Sequence, residues 1–430
     1  MKRISALFLV LFSLFLLLSC AAGRYPYPKS DLSNEAWKSQ MHINPDSWVH
    51  KADRWFRAGG ETSTEIMNEH APYSEAISRT AVRVPNFHSI NISGDFQVQI
   101  SGNPDNASLW IEGPNTAARS IAVSVRNNVL CLEQSAKAPG SMKRVIVHIS
   151  VTRLNSLIVT GGAASVEGVR LYSNSLVVDS NSAGTIFLAG HVNVKCVIVR
   201  NCGSVNIYTI KTSQTEIESL GSGNVNMTAE EAVGLSSIKH YGTGDINIVP
   251  ALSRNLMIDA KGKGQINLRG RLGIKEIRAA GEVCVFVDAT SSNSPSIYID
   301  DDARVGIAGG AGTLYAYTKH SSRLMARSLV AQTIFAESSG TSHMNINATS
   351  RAFANARDYS SIYFYGDPEI LESFEKGDGT VIDMGGGPVG MKAKARSRHR
   401  VRDTLDPPID MSANDYVSQR RYRADNYQAY

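Results

Sequence analysis

Hydrophobic and polar residues alternate along most of this chain, in short runs that recur about every twenty residues from Leu154 to Leu371. Each unit contains a β-rich run, a glycine turn, a second β-rich run and a polar link. The clearest units are TEIESLGSGNVNM from Thr215, LSSIKHYGTGDINI from Leu235, NLMIDAKGKGQINL from Asn255 and KEIRAAGEVCVFV from Lys275. This period, rich in Val, Ile and Thr and without helical periodicity, predicts an all-β parallel β-helix, or β-solenoid, with rungs of about 20 residues.

The pattern divides the chain into five segments. Residues 1–19 predict a signal peptide, and residues 20–82 a polar, irregular segment that holds three of the four tryptophans. Residues 83–151 predict a β-rich N-terminal cap, residues 152–384 about eleven solenoid rungs, and residues 385–430 a basic, tyrosine-containing, disordered tail. A cap is expected because stacked rungs leave an open edge at the end of the stack. The tryptophans are expected either to staple their segment onto the solenoid or to contact a partner.

Aligning the units predicts a first column of equivalent residues, stacked about 4.8 Å apart, in which the sign of the charge alternates from rung to rung. We interpret it as an outward salt-bridge ladder that fixes the register of the rungs, in preference to a ligand-binding face. Its members are Asp179, Arg200, Glu218, Lys239, Asp259, Arg278 and Asp300.

A second predicted column consists of asparagines, each flanked by aliphatic residues that are expected to face the core. Stacked amides can hydrogen-bond along the stack. Its members are Asn206, Asn226, Asn247 and Asn267, and the corner beside them is marked by Gly203, Gly223, Gly244 and Gly264. The glycines are expected to supply either a positive φ or a close approach of stacked backbones.

These units and the opening FHSINISGDF from Phe87 to Phe96 resemble the head GIN domain family of auto-transporter adhesins. The match covers about residues 84–382, and the turns GSGNVNM and GTGDINI are its main motifs. The resemblance implies a right-handed parallel β-helix-like fold, often on an envelope lipoprotein, with no established catalytic residues. The chain departs from the pattern after Ile299, where three aspartates replace the glycine turn, so the rungs are expected to degrade there.

The first residues predict the cellular localisation of the protein. Lys2 and Arg3 precede an apolar run that ends at Leu17-Leu18-Ser19-Cys20, which resembles the bacterial lipobox. The resemblance implies that Cys20 becomes the lipidated N-terminus; an ordinary cleaved signal peptide is the alternative. Ala21, where an aspartate would favour the inner membrane, indicates a lipid-anchored outer-membrane protein.

Composition and chemistry favour no enzyme class. The net charge of +5 is small for 430 residues, so the composition does not favour nucleic acid as a partner. Cys131, Cys196, Cys202 and Cys284 are expected to pair in an oxidising envelope or to act as small buried hydrophobes, and they lack metal-ligand spacing. No cofactor, metal or catalytic residue is predicted. Asp300-Asp301-Asp302 is interpreted as a solvated turn, with cation binding or glycan cleavage as alternatives, and His240 as a surface residue.

The tail alternates basic residues with other types, a pattern that suits an anionic envelope component or an acidic partner, or else a solvated segment. These residues are Lys392, Lys394, Arg396, Arg398, Arg400 and Arg402.

The sequence as a whole predicts a non-enzymatic envelope lipoprotein whose solenoid serves adhesion or binding. Its expected partners are the membrane, through the lipid, and envelope proteins or anionic glycans. The alternatives are a structural subunit of a secretion-type envelope assembly docked through its termini and, behind that, a polysaccharide-active enzyme.

Overall fold

The computed structural model describes residues 77–385, apart from Pro104 and Asn106, together with residues 397–402. The described residues are mostly β-strand, and the strands form a parallel β-solenoid of about 11 turns. The predicted fold class is therefore confirmed. Within the described ranges, none of the helices has the length and apolar character needed to cross a membrane.

The short strands before the regular rungs are β1 Ile77–Val82, β2 Ser89–Ser93, β3 Gln97–Gly102, β4 Ser108–Pro114, β5 Ile121–Arg126, β6 Val129–Gln134, β7 Ile146–Val151 and β8 Ser156–Thr160. The rungs contain β9 Ser165–Asn181, β10 Ile186–Val199, β11 Val205–Ser219, β12 Val225–His240, β13 Ile246–Ala260, β14 Gln265–Ala279, β15 Cys284–Ser292, β16 Ser296–Ile299, β17 Arg304–Thr318, β18 Arg323–Ser338 and β19 His343–Asp358. The last strands are β20 Ser361–Gly366, β21 Ile370–Gly377, β22 Thr380–Asp383 and β23 Ser397–Arg402. Helix α1 spans Asn115–Ala118, and a 3₁₀ turn spans Gly140–Arg144.

Each long strand forms most of one rung. β12 pairs in parallel with β11 and with β13 in both of its halves, and the register shifts between the halves, where the strand bends. Successive side chains of a strand point to opposite faces, so one set in each half points into the solenoid. Val225, Ile246 and Ile266 pair in register and are fully buried. Each such side chain contributes about 1.5–3 kcal/mol through burial, so neighbouring rungs stabilise each other through one continuous core.

Antiparallel strands close the N-terminal end of the stack. β5 pairs antiparallel with β6, and β4 pairs antiparallel with both β1 and β7. Helix α1 lies between β4 and β5 and buries Ala117 and Ala118. β2 and β3 lie one layer deeper, where they pair in parallel with the strands on either side of them. These strands cover the edge that an open stack of parallel rungs would expose.

The corner glycines of the early rungs lie directly against the backbone of the preceding rung. A Cβ built on Gly223 would lie 2.0 Å from the carbonyl oxygen of Gly203, and one on Gly244 would lie 2.1 Å from that of Gly223. Gly264 repeats the arrangement with 2.0 Å to Gly244. None of these residues is among those with a positive φ. Of the two predicted explanations, the structure selects close stacking of backbones.

The rungs do not degrade after Ile299; instead, the corner changes its type. β17 and β18 pair at twelve positions, and β18 pairs with β19 over both halves, so that part of the prediction is wrong. Each of the later corners contains a residue with a positive φ, either the first residue of the turn or the last residue of the strand before it. These residues are Gly281, Asp301, His320, Gly340, Asp358 and Gly377. An aspartate can replace glycine here because its short polar side chain tolerates the left-handed conformation.

Both ends of the solenoid extend further than predicted. β1 lies within the segment 20–82, which was expected to be irregular, and it pairs antiparallel with β4. β23 lies within the tail 385–430, which was expected to be disordered, and it pairs in parallel with β21. The edge of β21 offers backbone donors and acceptors, and a segment with period-two alternation can satisfy them without a long apolar run.

Candidate functional site

The second half of each rung presents two outward columns, which we call the face columns. The first contains Cys196, Glu216, Ser237, Met257, Glu276, Ser296, Tyr315, Phe335 and Phe353, and the second contains Asp179, Ile198, Glu218, Lys239, Asp259, Arg278, Tyr298, Tyr317 and Glu337. Up to β14 charged residues dominate the second column and the first is mixed, and aromatic residues dominate both from β16 to β19. One sheet face thus changes along the solenoid from charged to aromatic.

Aromatic rings stack along the first face column. The ring centroids of Tyr315 and Phe335 lie 5.3 Å apart with an interplanar angle of 11°, and those of Phe335 and Phe353 lie 4.9 Å apart at 6°. The spacing follows from the separation of about 4.8 Å between paired strands. Such pairs add about 0.5–1.5 kcal/mol each beyond burial. The sequence analysis missed this stack, although its signal is an aromatic residue recurring at the rung period.

The predicted charge ladder is wrong at two of its seven positions. Register pairing places Ile198 between Asp179 and Glu218, and Tyr298 after Arg278. Arg200 and Asp300 lie two residues later, where the chain leaves the strand. β10 and β16 each contain two inward aliphatic residues that are two positions apart. A sequence alignment on these aliphatic residues can therefore be wrong by two positions and still assign the inward and outward faces correctly.

One salt bridge between predicted neighbours is present: Arg200 donates to Asp179 from Nε at 3.0 Å, although it does so from the turn. The other charged residues pair differently from the prediction. Asp259 instead accepts a hydrogen bond from Tyr241 Oη at 2.6 Å, and this bond raises the pKa of Tyr241 to about 12. Arg278 pairs with Glu276 of its own strand. Neighbouring members of the run from Glu218 to Arg278 form no salt bridge with each other in the part of the chain that the structure describes.

A third column, the turn column, contains the residue that directly follows each of these strands. Its members are Arg200, Leu220, Tyr241, Lys261, Ala280, Asp300, Lys319 and Ser339. Ala280 is much shorter than its neighbours in the column. A cavity of about 170 Å³ lies there, with Ala279 and Ala280 in its lining, and we call it the Ala280 cavity.

Aromatic and cationic side chains line the Ala280 cavity. Tyr298 and Tyr317 are paired in register on consecutive strands. The guanidinium of Arg278 lies 5.4 Å from the ring centroid of Tyr298, and Lys319 Nζ lies 5.1 Å from that of Tyr317. The pKa of Tyr298 is raised, mainly by partial burial and to a smaller extent by the negative charge of Glu276. This tyrosine therefore remains a neutral hydrogen-bond donor and acceptor at neutral pH.

Asp300 and Asp301 meet His320 at the corner next to this cavity. One ligand atom from each of the three residues lies within 4.8 Å of the others. His320 Nδ1 is 2.5 Å from Asp300 Oδ1, and Asp301 Oδ2 accepts from the backbone N–H of Gly281 at 3.1 Å. Asp302 is not part of the group, so the three consecutive aspartates do not act together. The exposed pairing of histidine and aspartate accounts for the cluster as a surface contact of small energetic worth.

The asparagine column forms a continuous amide ladder on the first half of the rungs. Asn226 Nδ2 donates to Asn206 Oδ1, Asn247 Nδ2 to Asn226 Oδ1, and Asn267 Nδ2 to Asn247 Oδ1, each at 2.8 Å. Asn206 and Asn267 are buried. The flanking aliphatic residues face the core, as the sequence pattern indicated.

We expect the substitution Asn226→Ala to lower the free energy of unfolding by about 2 kcal/mol, because it leaves one acceptor and one donor of the ladder without a partner. Urea unfolding followed by circular dichroism measures the change. The matched control is Asn345→Ala, in the same outward column but outside the ladder. Equal losses for the two variants would contradict a specific contribution from the ladder.

Glu167 lies in the same outward column, further toward the N-terminal end. It pairs in register with Gln99 on one side and with Phe187 on the other. Partial burial raises the pKa of its carboxyl from 4.5 to about 7. The protonated form is therefore favoured in the folded chain, and stability is lost as pH rises from about 4.5 through 7.

We expect the substitution Glu167→Gln to raise the free energy of unfolding by about 1–2 kcal/mol at pH 8 and to leave it unchanged at pH 4, because glutamine avoids the desolvated charge. Urea unfolding at both pH values tests this. Glu133→Gln, at an exposed position, serves as the control. An equal effect of Glu167→Gln at the two pH values would show that the carboxyl does not titrate between them.

His240 was predicted to lie at the surface, and the structure shows that prediction to be wrong. Its side chain is fully buried, and neither ring nitrogen has a hydrogen-bond partner in the described chain. Lys239 is exposed on the outward face, so the period-two alternation turns its neighbour inward. Burial lowers the pKa of His240 to about 4.

The other predicted residues are placed as follows. Cys131 and Cys196 are half-buried free cysteines. Arg398, Arg400 and Arg402 of the predicted anion-binding tail lie in β23. The lipidation residue Cys20, the three N-terminal tryptophans and the tail residues Lys392, Lys394 and Arg396 lie outside the described residues.

Comparison with known proteins identifies one family. A family model described as "Putative auto-transporter adhesin, head GIN domain" matches residues 86–250 and again residues 235–368. No curated protein shows a significant match to the chain.

Several solved structures are similar to this chain at low identity. A putative adhesin from Bacteroides fragilis is 16% identical over 72% of this chain and 98% of its own, with a TM-score of 0.23. A putative adhesin from Parabacteroides distasonis is 12% identical over 71% and 96%, with a TM-score of 0.24. A putative lipid binding protein from the same organism is 12% identical over 71% and 95%, with a TM-score of 0.24.

Proposed function

We propose, from the premise that this chain belongs to the head GIN domain family of putative auto-transporter adhesins, that it is a non-enzymatic adhesion or binding module of the bacterial envelope. Membership follows from the family model, which covers well over half of the chain. The family description supports a cell-surface or envelope protein and a binding role.

The observation that carries the proposal is the set of long outward columns. Rungs about 4.8 Å apart place equivalent side chains at regular intervals along a sheet face. In the second face column every side chain from Asp179 to Tyr317 is exposed or half-buried, whereas the amide ladder and the stacked rings of Tyr315 and Phe335 are largely buried. A surface with translational repetition suits an extended ligand, because each repeat of the ligand can meet an equivalent position on the next rungs.

Binding of the purified full-length chain to immobilised polymers tests this function. The panel contains dextran, dextran sulfate, polygalacturonate and collagen, with biolayer interferometry as the readout. We expect saturable binding to at least one polymer, and no shortening of any polysaccharide after prolonged incubation. Absence of saturable binding to the whole panel would count against the binding role, and release of short oligosaccharides would favour the enzyme alternative.

We further propose that Cys20 carries the lipid and anchors the chain at the outer membrane. The lipobox-like run before Cys20 and the alanine after it support this anchor. Replacing Cys20 with serine is expected to abolish labelling by a palmitate analogue and to move the protein out of the membrane fraction. Cys131→Ser is the control, since it removes a cysteine of the solenoid instead. Retained labelling in the Cys20 variant would contradict the anchor.

The alternative of a structural subunit in an envelope assembly makes a different prediction. Its docking through the termini would produce stable envelope partners when the native protein is solubilised gently. Such partners, combined with failure to bind any polymer of the panel, would favour the assembly over the adhesion module.

A further inference from the structure

The Ala280 cavity exists because one member of the turn column is small. The preceding members are Tyr241 and Lys261, and the following ones are Asp300 and Lys319, all with longer side chains. Ala280 therefore leaves a gap one rung wide between Lys261 and Asp300. The gap opens beside the aromatic end of the sheet face, and its volume of about 170 Å³ suits a single ring-sized group.

The wall of the cavity combines flat apolar surface with hydrogen-bonding groups. Tyr298 and Tyr317 pair in register, so their Cα atoms are separated by about one strand spacing, 4.8 Å, and both side chains line the cavity. Tyrosine offers a ring face for C–H groups and a hydroxyl that can donate and accept hydrogen bonds. A pyranose ring has the matching properties, with an apolar face and a rim of hydroxyls.

The charges around the cavity favour an anion. Three cationic residues and one carboxylate contribute to the lining: Lys261, Arg278, Lys319 and Asp300. Asp300 is engaged by His320, and Arg278 is engaged by Glu276. Lys261 Nζ lies 3.7 Å from Asp259, and Lys319 forms no salt bridge within the described residues. Lys319 is thus the cation best placed to bind an anionic substituent, and the net charge of +5 adds a weak general attraction for polyanions.

We propose that the Ala280 cavity is a subsite for one unit of an acidic saccharide, with the sugar ring against Tyr298 and Tyr317 and its carboxylate or sulfate on Lys319. This ligand class rests on the proposed binding function and specifies it. A saccharide fits better than an acidic helix, because the gap is one rung wide and open along the sheet face. A polysaccharide can place one unit in the gap while its neighbours continue along the face columns.

Binding of the full-length chain to polygalacturonate and to dextran sulfate, with dextran as the neutral control, tests the subsite. The central variant is Ala280→Lys, which fills the gap with a side chain that the column already accepts at Lys261 and Lys319. It adds a positive charge, so a merely electrostatic attraction would strengthen. We expect binding of an acidic polymer to weaken at least about tenfold, which corresponds to the loss of about one charge-assisted contact.

Three further variants keep the test decisive if Ala280→Lys folds poorly. Lys319→Gln is expected to weaken binding about tenfold, because it removes the anion partner. Ala280→Ser leaves the gap open, and Lys239→Gln removes an exposed lysine of the same face outside the cavity; both are expected to stay within about twofold of the parent chain. Thermal unfolding verifies that all the variants fold.

Each outcome separates the subsite from the broader function. Binding of acidic polymer that Ala280→Lys and Lys319→Gln both weaken by about tenfold or more supports the subsite. Binding that these variants leave unchanged or strengthen overturns the subsite and leaves the binding function standing. Binding of collagen or dextran alone overturns the acidic-saccharide class while retaining the module, and failure to bind any polymer contradicts both.

Discussion

Replacing Gly223 with alanine is expected to lower the free energy of unfolding by about 3 kcal/mol, because the new methyl group would overlap backbone atoms of the preceding rung. Its Cβ would lie 2.0 Å from the carbonyl oxygen of Gly203 and 3.0 Å from that of Asn201. Neither obstacle is a side chain that could rotate away. The rungs would have to separate locally, and the core behind the corner would lose contact on both sides.

The sign of this change is diagnostic. An unobstructed glycine-to-alanine substitution usually stabilises a protein by about 0.4–1 kcal/mol, because it reduces the freedom of the unfolded chain. Gly310 supplies the matched control, since a Cβ built there meets no atom within 4 Å and its φ is not positive. We expect Gly310→Ala to leave the urea midpoint unchanged or slightly raised. A Gly223→Ala protein as stable as Gly310→Ala would show that the corner can relax at little cost.

Acidification from pH 7 to pH 4 is expected to remove about 3 kcal/mol of stability through His240 alone. The pKa of this histidine falls from 6.5 to about 4 on folding, so the unfolded chain binds the proton more readily in this window. Stability is therefore fully present above pH 6.5 and is lost as pH falls toward 4. The physical cause is burial: the imidazolium would lie in the interior, where Ser219 and Ala260 are its register neighbours.

The variant His240→Leu isolates this contribution. Leucine has a similar volume and no polar atoms, so we expect unchanged or higher stability at pH 7 and a reduced loss on acidification. Burial also lowers the pKa of His148 and His343, and the raised pKa of Glu167 changes stability with pH in the opposite direction. The pH dependence of stability in the parent chain is therefore the sum of these contributions. Urea unfolding at several pH values gives the free energy of unfolding of both proteins. Its difference between parent and variant cancels the contributions of the other titratable groups. An unchanged pH dependence in the variant would refute the assignment to His240.

The two expectations arise from the same architecture. Neighbouring rungs are closely stacked, so an added methyl group at the corner overlaps the next rung and lowers stability. The interior that the rungs enclose excludes water, so an added charge there also lowers stability. Both effects should stay local to a few rungs, because each rung contacts mainly the rungs next to it. Hydrogen exchange of the amides near β11, β12 and β13 would show this locality directly.

The sequence by itself determined the architecture. The recurrence of about twenty residues, the alternation within each half-rung and the G-x-[IV]-N motif predict a parallel solenoid with an asparagine ladder and glycines at its corners. Those features depend on chain-local rules, namely which residues alternate and which turn follows them. The amide ladder was aligned correctly because a glycine and two aliphatics leave only one alignment for each asparagine.

The tertiary structure decided which side chains meet across rungs. The face column contains Ile198 and Tyr298 where the sequence predicted Arg200 and Asp300. The number of residues in each bend and corner sets the register, and the alternation of residue types does not reveal that number. The inward turn of His240 was readable from the alternation, yet its cost appears only once the interior around it is closed. The Ala280 cavity and the stacked rings have the same origin: they depend on neighbours about twenty residues away, whose alignment only the folded stack fixes.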